Sequence, residues 1–504
     1  MSQIKKGAII SYAAIFLNIA AGLLYTPWMI RHIGISDYGL YALIGAFLSY
    51  FMLDFGLGQA IARFVANARA KGDEKEVERL IATTAKIYLV ISTIIAITLF
   101  AVFFFLSDIF GNFTDTELNR FKMVYVIAGF FSIMNFPFMP LNGIFIAYER
   151  FVALKTINMI QRLGIVMFMV IAILLGYGLF VLVLINGLVG FMLSLYRFWY
   201  VRRAINVKIR LDLFDKPLAK LLLKFSIWVF IIGIAQRLLL NIAPTILGIF
   251  AGTTHIAVFA IGMMLEAYTW TFANALNGLF MPKVARLSLA SQTREQINEL
   301  MIKVGRIQLL IVGFIITGIV ILGKPFILLW MGNEFVSSYI VAICLIVPGI
   351  IILTQEIANS LLLVENKIRY RAIIFLAASG VSVVTGVLLA PYYGAVGVAL
   401  GVLIALLLCH IIGMNIVYHK VLKLDVIGFF RQCHFKMLLP MIAAAVFSLT
   451  LQYFYPITSW LAFIVQGTAF AIIFYALMWC FSMNEYEKSL TKQLITPIVN
   501  KIKK

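Results

Sequence analysis

Charge is what this chain is short of. Of its 504 residues 12% are Asp, Glu, Lys or Arg and 63% are hydrophobic, which excludes a soluble domain of this length. Acids are the scarcer sign, 21 against 41 Lys and Arg. Four cysteines (Cys344, Cys409, Cys433, Cys480) lie scattered without paired spacing, so neither a disulfide framework nor a thiolate metal site is implied. The five histidines stand too far apart in sequence to suggest a ligand cluster. GxxxxGK[ST] and HExxH are both missing, which leaves ATP-driven transport and zinc hydrolysis without sequence support. The longest stretches outside apolar runs, near 65–82, 201–222, 282–303, 419–436 and 484–504, are too short for a soluble catalytic domain. The chain therefore reads as not an enzyme, and no cofactor is expected.

What the chain has is apolar runs. They recur near 8–28, 39–64, 87–106, 122–147, 156–176, 179–200, 225–250, 256–281, 307–330, 339–364, 372–392, 395–418, 437–455 and 459–483, each long enough to cross the hydrocarbon core. Pro27, Pro137, Pro140, Pro244 and Pro348 interrupt some of them. The expected fold is an all-α polytopic membrane protein with about fourteen spans. The net charge of +20 would suit nucleic acid, but its placement points elsewhere. With a cytoplasmic N-terminus, Arg31, Arg120, Lys122 and Lys324 fall outside and Arg237 deep in a span, leaving 36 of the 41 cations on the cytoplasmic side. That is the positive-inside pattern, with both termini cytoplasmic, anionic headgroups as a secondary partner and no nucleic acid. Lys5 and Lys6 precede a run too long for a signal-peptide core, so it is expected to remain as the first helix. The basic tail ending Lys501-Ile-Lys503-Lys504 is expected to lie on the membrane surface.

The opening stretch His32 to Glu78 has a polar turn, a long apolar run with Asp54 and Arg63, and a charged exit; its framework returns at Thr254 to Ala290. Tyr41 falls on Phe259, Ala42 on Ala260 and Tyr50 on Tyr268. Pro27 matches Pro244, Lys86 matches Arg306, Asn142 matches Asn359, and Tyr177-Gly178 matches Tyr393-Gly394, all at offsets near 217. The spans thus form two six-helix repeats plus two C-terminal helices. Six is even, so the repeats are parallel and related by an axis along the membrane normal, with a cavity expected between them. The expected divisions are an N-terminal lobe over 1–203, a basic linker over 204–222, a C-terminal lobe over 223–420, and two further helices with a basic tail over 421–504. Gly397 and Gly401 would allow close helix contact, although a GxxxG in apolar sequence is common.

Ionisable residues inside spans cost free energy unless they face a cavity or a partner. Arg237 lies 13 residues beyond Lys224, about 20 Å into the membrane, too deep to snorkel. Asp54 and Glu266 are also far from either end of their spans, and Arg162 and Glu356 lie about two turns from the cytoplasmic end. In one reading the cations hold an anionic substrate, and Asp54, Glu266 and Glu356 couple transport to an ion. In the plainer reading Arg237 and Glu266 pair with each other, Arg162 is neutralised by a nearby acid, and Asp54 holds a helix break beside Gly56 and Gly58. Lys86 and Arg306, at the mouths of equivalent helices, would suit a diphosphate, or serve as ordinary basic anchors with snorkelling stems.

The order HIGISDYGLYAL, LDFGLGQAIARFV, charged loop resembles the start of polysaccharide flippases of the O-antigen type, within the multidrug, oligosaccharidyl-lipid and polysaccharide exporter superfamily. The six plus six plus two arrangement resembles that family over nearly the whole chain. The resemblance implies a bacterial inner-membrane protein that moves an undecaprenyl diphosphate-linked oligosaccharide from the cytoplasmic to the periplasmic leaflet. It further implies a charged lumen, an H+ or Na+ gradient, membrane lipids as surroundings, and a polysaccharide polymerase and chain-length regulator as partners. No position matches a diagnostic substrate motif, so the candidate residues rest on depth alone. The nearest rival is a multidrug or cation antiporter of the same superfamily, which the extra two helices and the buried arginines disfavour. A polymerase would need a large external loop, which the sequence does not have. A non-transporting scaffold would leave Arg237 without a purpose.

Overall fold

The structure, a computed structural model, describes residues 3–52, 54–205, 213–277, 284, 287 and 294–492, and every regular element among them is helical. The basic tail at 501–504 and most of the basic exit after 282 lie outside these residues. The first half runs α1 (Gln3–Ile33), α2 (Ile35–Ser49), α3 (Leu57–Ala70), α4 (Glu74–Ile109), α5 (Asp115–Asn135), α6 (Leu141–Ala147), α7 (Phe151–Leu174) and α8 (Leu179–Arg203). It is followed by α9 (Lys216–Leu240), α10 (Ile242–Phe250), α11 (Thr253–Asn277), α12 (Arg294–Met331), α13 (Ser337–Ile346), α14 (Gly349–Ile352), α15 (Glu356–Val364) and α16 (Ile368–Ala405). The chain closes with α17 (Met414–Lys420), α18 (Val426–Phe430), α19 (Lys436–Phe454) and α20 (Trp460–Phe481).

Ten helical segments among the described residues are long and apolar enough to cross a membrane. The longest of these, Ile368–Lys420, holds a non-helical Gly394 (φ 52°) and is two crossings, as the Tyr393-Gly394 turn predicts. With α1, α11 and the pair α2–α3, the helices account for the fourteen expected spans, and the protein is an all-helical polytopic membrane protein.

Four of the five prolines act where expected, while Pro27 lies inside α1 without ending it. Pro137 and Pro140 end α5 in a short 3-10 turn before α6, Pro244 sits just inside α10, and Pro348 lies where α13 gives way to α14. The run over 39–64, expected as one helix, is the correction: it is two helices separated by residues 50–56. Phe55 (φ 51°) and Gly56 (φ 72°) turn left-handed, and Gly58 N–H is recovered by the Asp54 carboxylate at 3.1 Å and 3.3 Å. The Tyr88 hydroxyl donates to the same carboxylate and to the Asp54 carbonyl. A side chain at Gly56 would collide with Val229 and the Ser226 carbonyl of α9, so the break lets α9 approach the backbone.

By contacts the chain forms two compact units, Met1–Ala260 with Ser379–Val398, and Ile261–Ala378 with Ala399–Lys504. In the first, Thr114 and Glu117 form a capping box at the start of α5. Glu117 also accepts from the Ser36 hydroxyl (2.7 Å) and the Thr253 hydroxyl (2.6 Å), while Asp37 pairs with Arg120 (2.7 Å). The Thr253 hydroxyl also lies against that of Ser36 (3.1 Å). Such contacts hold the starts of α2, α5 and α11 together.

In the second unit α12 packs against α19 and α20 through Met437, Met441, Phe470 and Phe474. Where α12 approaches its basic end, Arg306 is buried at 5% exposure and bonded to Glu487 through Nε (2.5 Å) and Nη2 (2.9 Å). Its remaining donors reach the carbonyls of Gln432 (2.7 Å) and Ser482 (2.5 Å). Replacing Arg306 by Leu leaves the Glu487 carboxylate buried and unpaired, so chemical denaturation in micelles should show a loss of about 3–5 kcal/mol. Replacing both residues by Leu should recover most of that loss.

Between α15 and α16, Glu365 accepts from Arg294 at the start of α12 (2.6 Å) and from Lys367 (2.8 Å). Partial burial pushes its carboxyl up, but these two cations outweigh it and hold the group below its ordinary value of 4.5. A depressed folded value means stabilisation is present above the unfolded value and disappears as pH falls through the folded one. Melting curves should therefore separate wild type from Glu365→Gln at neutral pH and converge below pH 4.5.

Candidate functional site

The first unit holds a polar cavity of about 400 Å³ among α2, α5, the α5–α6 turn, α7 and α8. Its shape follows from interrupted helices. Leu48 and Met52 line it from the break after α2, and Asn135, Phe138, Met139 and Asn142 from the break after α5. Irregular backbone at membrane depth is tolerated where it borders such a space.

Four residues of α8 present a stripe of small and polar groups to this cavity, Asn186, Gly190, Ser194 and Arg197, at the three- and four-residue spacing of one helix face. Ser194 donates to Asn135 Oδ1 (2.8 Å), and Asn186 Nδ2 donates to the Tyr41 hydroxyl (3.2 Å). Arg197 Nη2 donates to Asn158 Oδ1 (2.9 Å) and Gln161 Oε1 (2.7 Å) of α7. Both acceptors are neutral amides. Among the described residues Arg197 Nε is buried without a partner, Nη1 makes no hydrogen bond, and no carboxylate lines the cavity. Arg197 lies six residues before the end of α8, about 9 Å into the helix. The cavity follows α8 from Asn186 to Arg197, about 16 Å of rise. It therefore combines an uncompensated positive charge with hydroxyl and amide groups, the pairing that suits an anion carrying sugar.

The residues singled out from the sequence do not all gather there. Arg237, half-buried on α9, makes no ion pair among the described residues; it faces Tyr50, whose hydroxyl donates to the Asn241 carbonyl (2.6 Å). Asp54 holds the α2–α3 break. Lys86, half-buried on α4, rests over the Phe214 ring at 5.6 Å, while Asp215 binds Thr83 beside it. Arg162 neighbours Gln161 in sequence but is exposed and has no partner among the described residues. Arg306 is buried and enclosed by Glu487 and two carbonyls.

In the second unit Glu266 is buried at 7% exposure on α11 without a partner among the described residues. Glu356 belongs to a chain of polar groups: Asn359 Nδ2 donates to it (3.4 Å), and Tyr418 donates to Asn359 Oδ1 (2.9 Å). Arg371 faces Glu356, Tyr418 and His410, and the His410 ring is edge-on to Phe375 at 4.7 Å. Here the cation has an acid nearby, which distinguishes this cluster from the cavity around Arg197. Sequence reasoning passed over Arg197 because, close to Arg202 and Arg203, it counts as one more cation of the basic end. The four-residue stripe on α8 is the signal that would have found it.

The polysaccharide biosynthesis protein family matches residues 4–282. No curated protein matches the chain by sequence. Among solved structures, the lipid II flippase MurJ in an inward closed conformation is similar over 98% of this chain and 99% of its own, at 13% identity and a TM-score of 0.65. A multidrug resistance MATE family transporter of the MOP superfamily, inward-facing, is similar over 82% of this chain and 98% of its own, at 14% identity and a TM-score of 0.64. A MOP superfamily transporter from Pyrococcus furiosus covers 82% of this chain and 96% of its own, at 15% identity and a TM-score of 0.57. At such identities the likeness is one of fold.

Proposed function

Because the chain belongs to the polysaccharide biosynthesis protein family, we propose that it flips an undecaprenyl diphosphate-linked oligosaccharide from the cytoplasmic to the periplasmic leaflet of a bacterial inner membrane. The observation that carries this reading is Arg197, a cation in a cavity that no carboxylate lines among the described residues. A guanidinium at this depth is costly unless an anion meets it, and its free Nε and Nη1 donors suit phosphate oxygens. The cavity falls in the size range of small-molecule sites, enough for a diphosphate and the first sugar, whose hydroxyls would meet Asn135, Asn186 and Tyr41.

The same cavity argues against the cation antiporter, which would need acids where none stand. The remaining features of the proposal follow from it. The two six-helix lobes of the sequence rock about the substrate, both termini stay in the cytoplasm, and H+ or Na+ drives the cycle through the acids Glu266 and Glu356. Arg237 supplies a second positive charge along the path and Lys86 one at the cytoplasmic mouth. A lipid-linked sugar needs no bond broken to cross, so no covalent chemistry is assigned, and the polymerase and chain-length regulator act on its product.

The test is complementation of cells lacking the chromosomal copy, with surface polymer and cytoplasmic-leaflet precursor measured at matched protein levels. Arg197→Gln should lower surface polymer about tenfold to a hundredfold, the worth of one charge-assisted hydrogen-bond set, and accumulate precursor, with Arg197→Lys partly active. Normal export by Arg197→Gln would remove the cavity from the mechanism. Arg237→Ala should also impair export, and Arg237→Lys should partly rescue it; full export by the Ala variant would make Arg237 structural.

A further inference from the structure

The helix pair α7–α8 has two different sides. One bounds the polar cavity through Gln161, Gly187 and Arg197; the other carries a mixed recess of about 550 Å³ and an apolar one of about 540 Å³ that adjoin at Ile160 and Leu193 as one groove. The groove starts at Arg150, Tyr196 and Tyr200 at the basic end of the pair and runs to Leu175 and Tyr177 at the other. Along α8 the lining runs from Val181 to Tyr200, a rise of about 28 Å, close to the thickness of the hydrocarbon core of a bilayer. Its floor is shallow because Gly164 faces Val189 and Gly190 faces Gln161, so that only small groups separate groove from cavity.

We propose that this groove holds the isoprenoid chain of the lipid-linked substrate while its diphosphate occupies the cavity at Arg197; the proposal rests on the flippase reading above. Three observations favour that occupant over a bulk phospholipid. An acyl chain reaches across one leaflet only, whereas the groove spans nearly the whole core and matches a single chain longer than a leaflet. The walls are almost wholly apolar from Ile160 onward, and the one cation, Arg150, stands at the end where a diphosphate would enter. Finally, the bridge from Arg197 to Asn158 and Gln161 ties α8 to α7 across the seam between the two spaces. Opening that bridge around a phosphate would let a chain on the membrane side and a head group on the cavity side belong to one molecule.

Photo-crosslinking tests this in the full-length protein. Benzoyl-phenylalanine is placed at Phe168 or Met192 in the groove, or at Leu439 on the exposed face of α19 as the control, in cells that make the precursor, and adducts are identified by mass spectrometry. Polyprenyl adducts should be enriched severalfold at Phe168 and Met192 over Leu439, and Arg197→Gln should reduce them. Phospholipid adducts alone at the groove positions, or polyprenyl adducts equal at all three, overturn the groove as the chain site. If the complementation experiment shows Arg197-dependent export in that case, the flippase reading stands and only the groove fails. If polyprenyl adducts are absent everywhere and Arg197→Gln exports normally, the flippase reading itself fails.

Discussion

Inside a bilayer every backbone amide must find a partner within the protein, and a helix can be interrupted only where side chains replace the missing bonds. The first unit is arranged around that constraint. At residues 50–56 the replacement comes from Asp54 and Tyr88; at the joint between α9 and α10 it comes from Tyr50, whose hydroxyl reaches the Asn241 carbonyl. Near the end of α5, Ser92 donates to the Ile133 carbonyl, and Asn135 to that of Phe131. Each interruption therefore imports polar groups into apolar surroundings. Two of these interruptions border the polar cavity, so its polarity is partly a consequence of how the helices are broken.

Charge is then added selectively. Asp54, Arg306 and Glu356 each have partners that hold or balance them, and their geometry accounts for them without a ligand. Arg197 is different in kind. Its acceptors are two amide oxygens, which orient the guanidinium without neutralising it, and the same two bonds fasten α7 to α8. One side chain thus links the charge of the cavity to the integrity of its wall.

The sequence made the gross architecture legible because the signals involved are local. Long apolar runs report crossings, and Tyr177-Gly178 and Tyr393-Gly394 report turns, since Gly394 takes a left-handed φ that a larger residue would resist. What was hidden depends on partners distant in the chain. Arg306 looks like a mouth cation until Glu487, 181 residues away, closes over it. Arg162 and Arg197 look alike in hydropathy, yet the exposed one is beside Gln161 in sequence and the cavity one is bonded to Gln161 in space. Depth alone ranked Arg237 first and could not separate these two.

Pseudo-symmetry adds a last constraint. Gly34 and Gly252, 218 positions apart and both at φ 88°, each precede a helix, and the Ser36 and Thr253 hydroxyls just beyond them meet over Glu117, so the starts of α2 and α11 match in the first unit. The charges do not follow it: at the offset of 216 set by Tyr177-Gly178 and Tyr393-Gly394, Arg197 falls on Gly413. An oligosaccharide diphosphate has no twofold symmetry. Under the flippase proposal, a cavity lined by residues of the first unit alone matches that asymmetry.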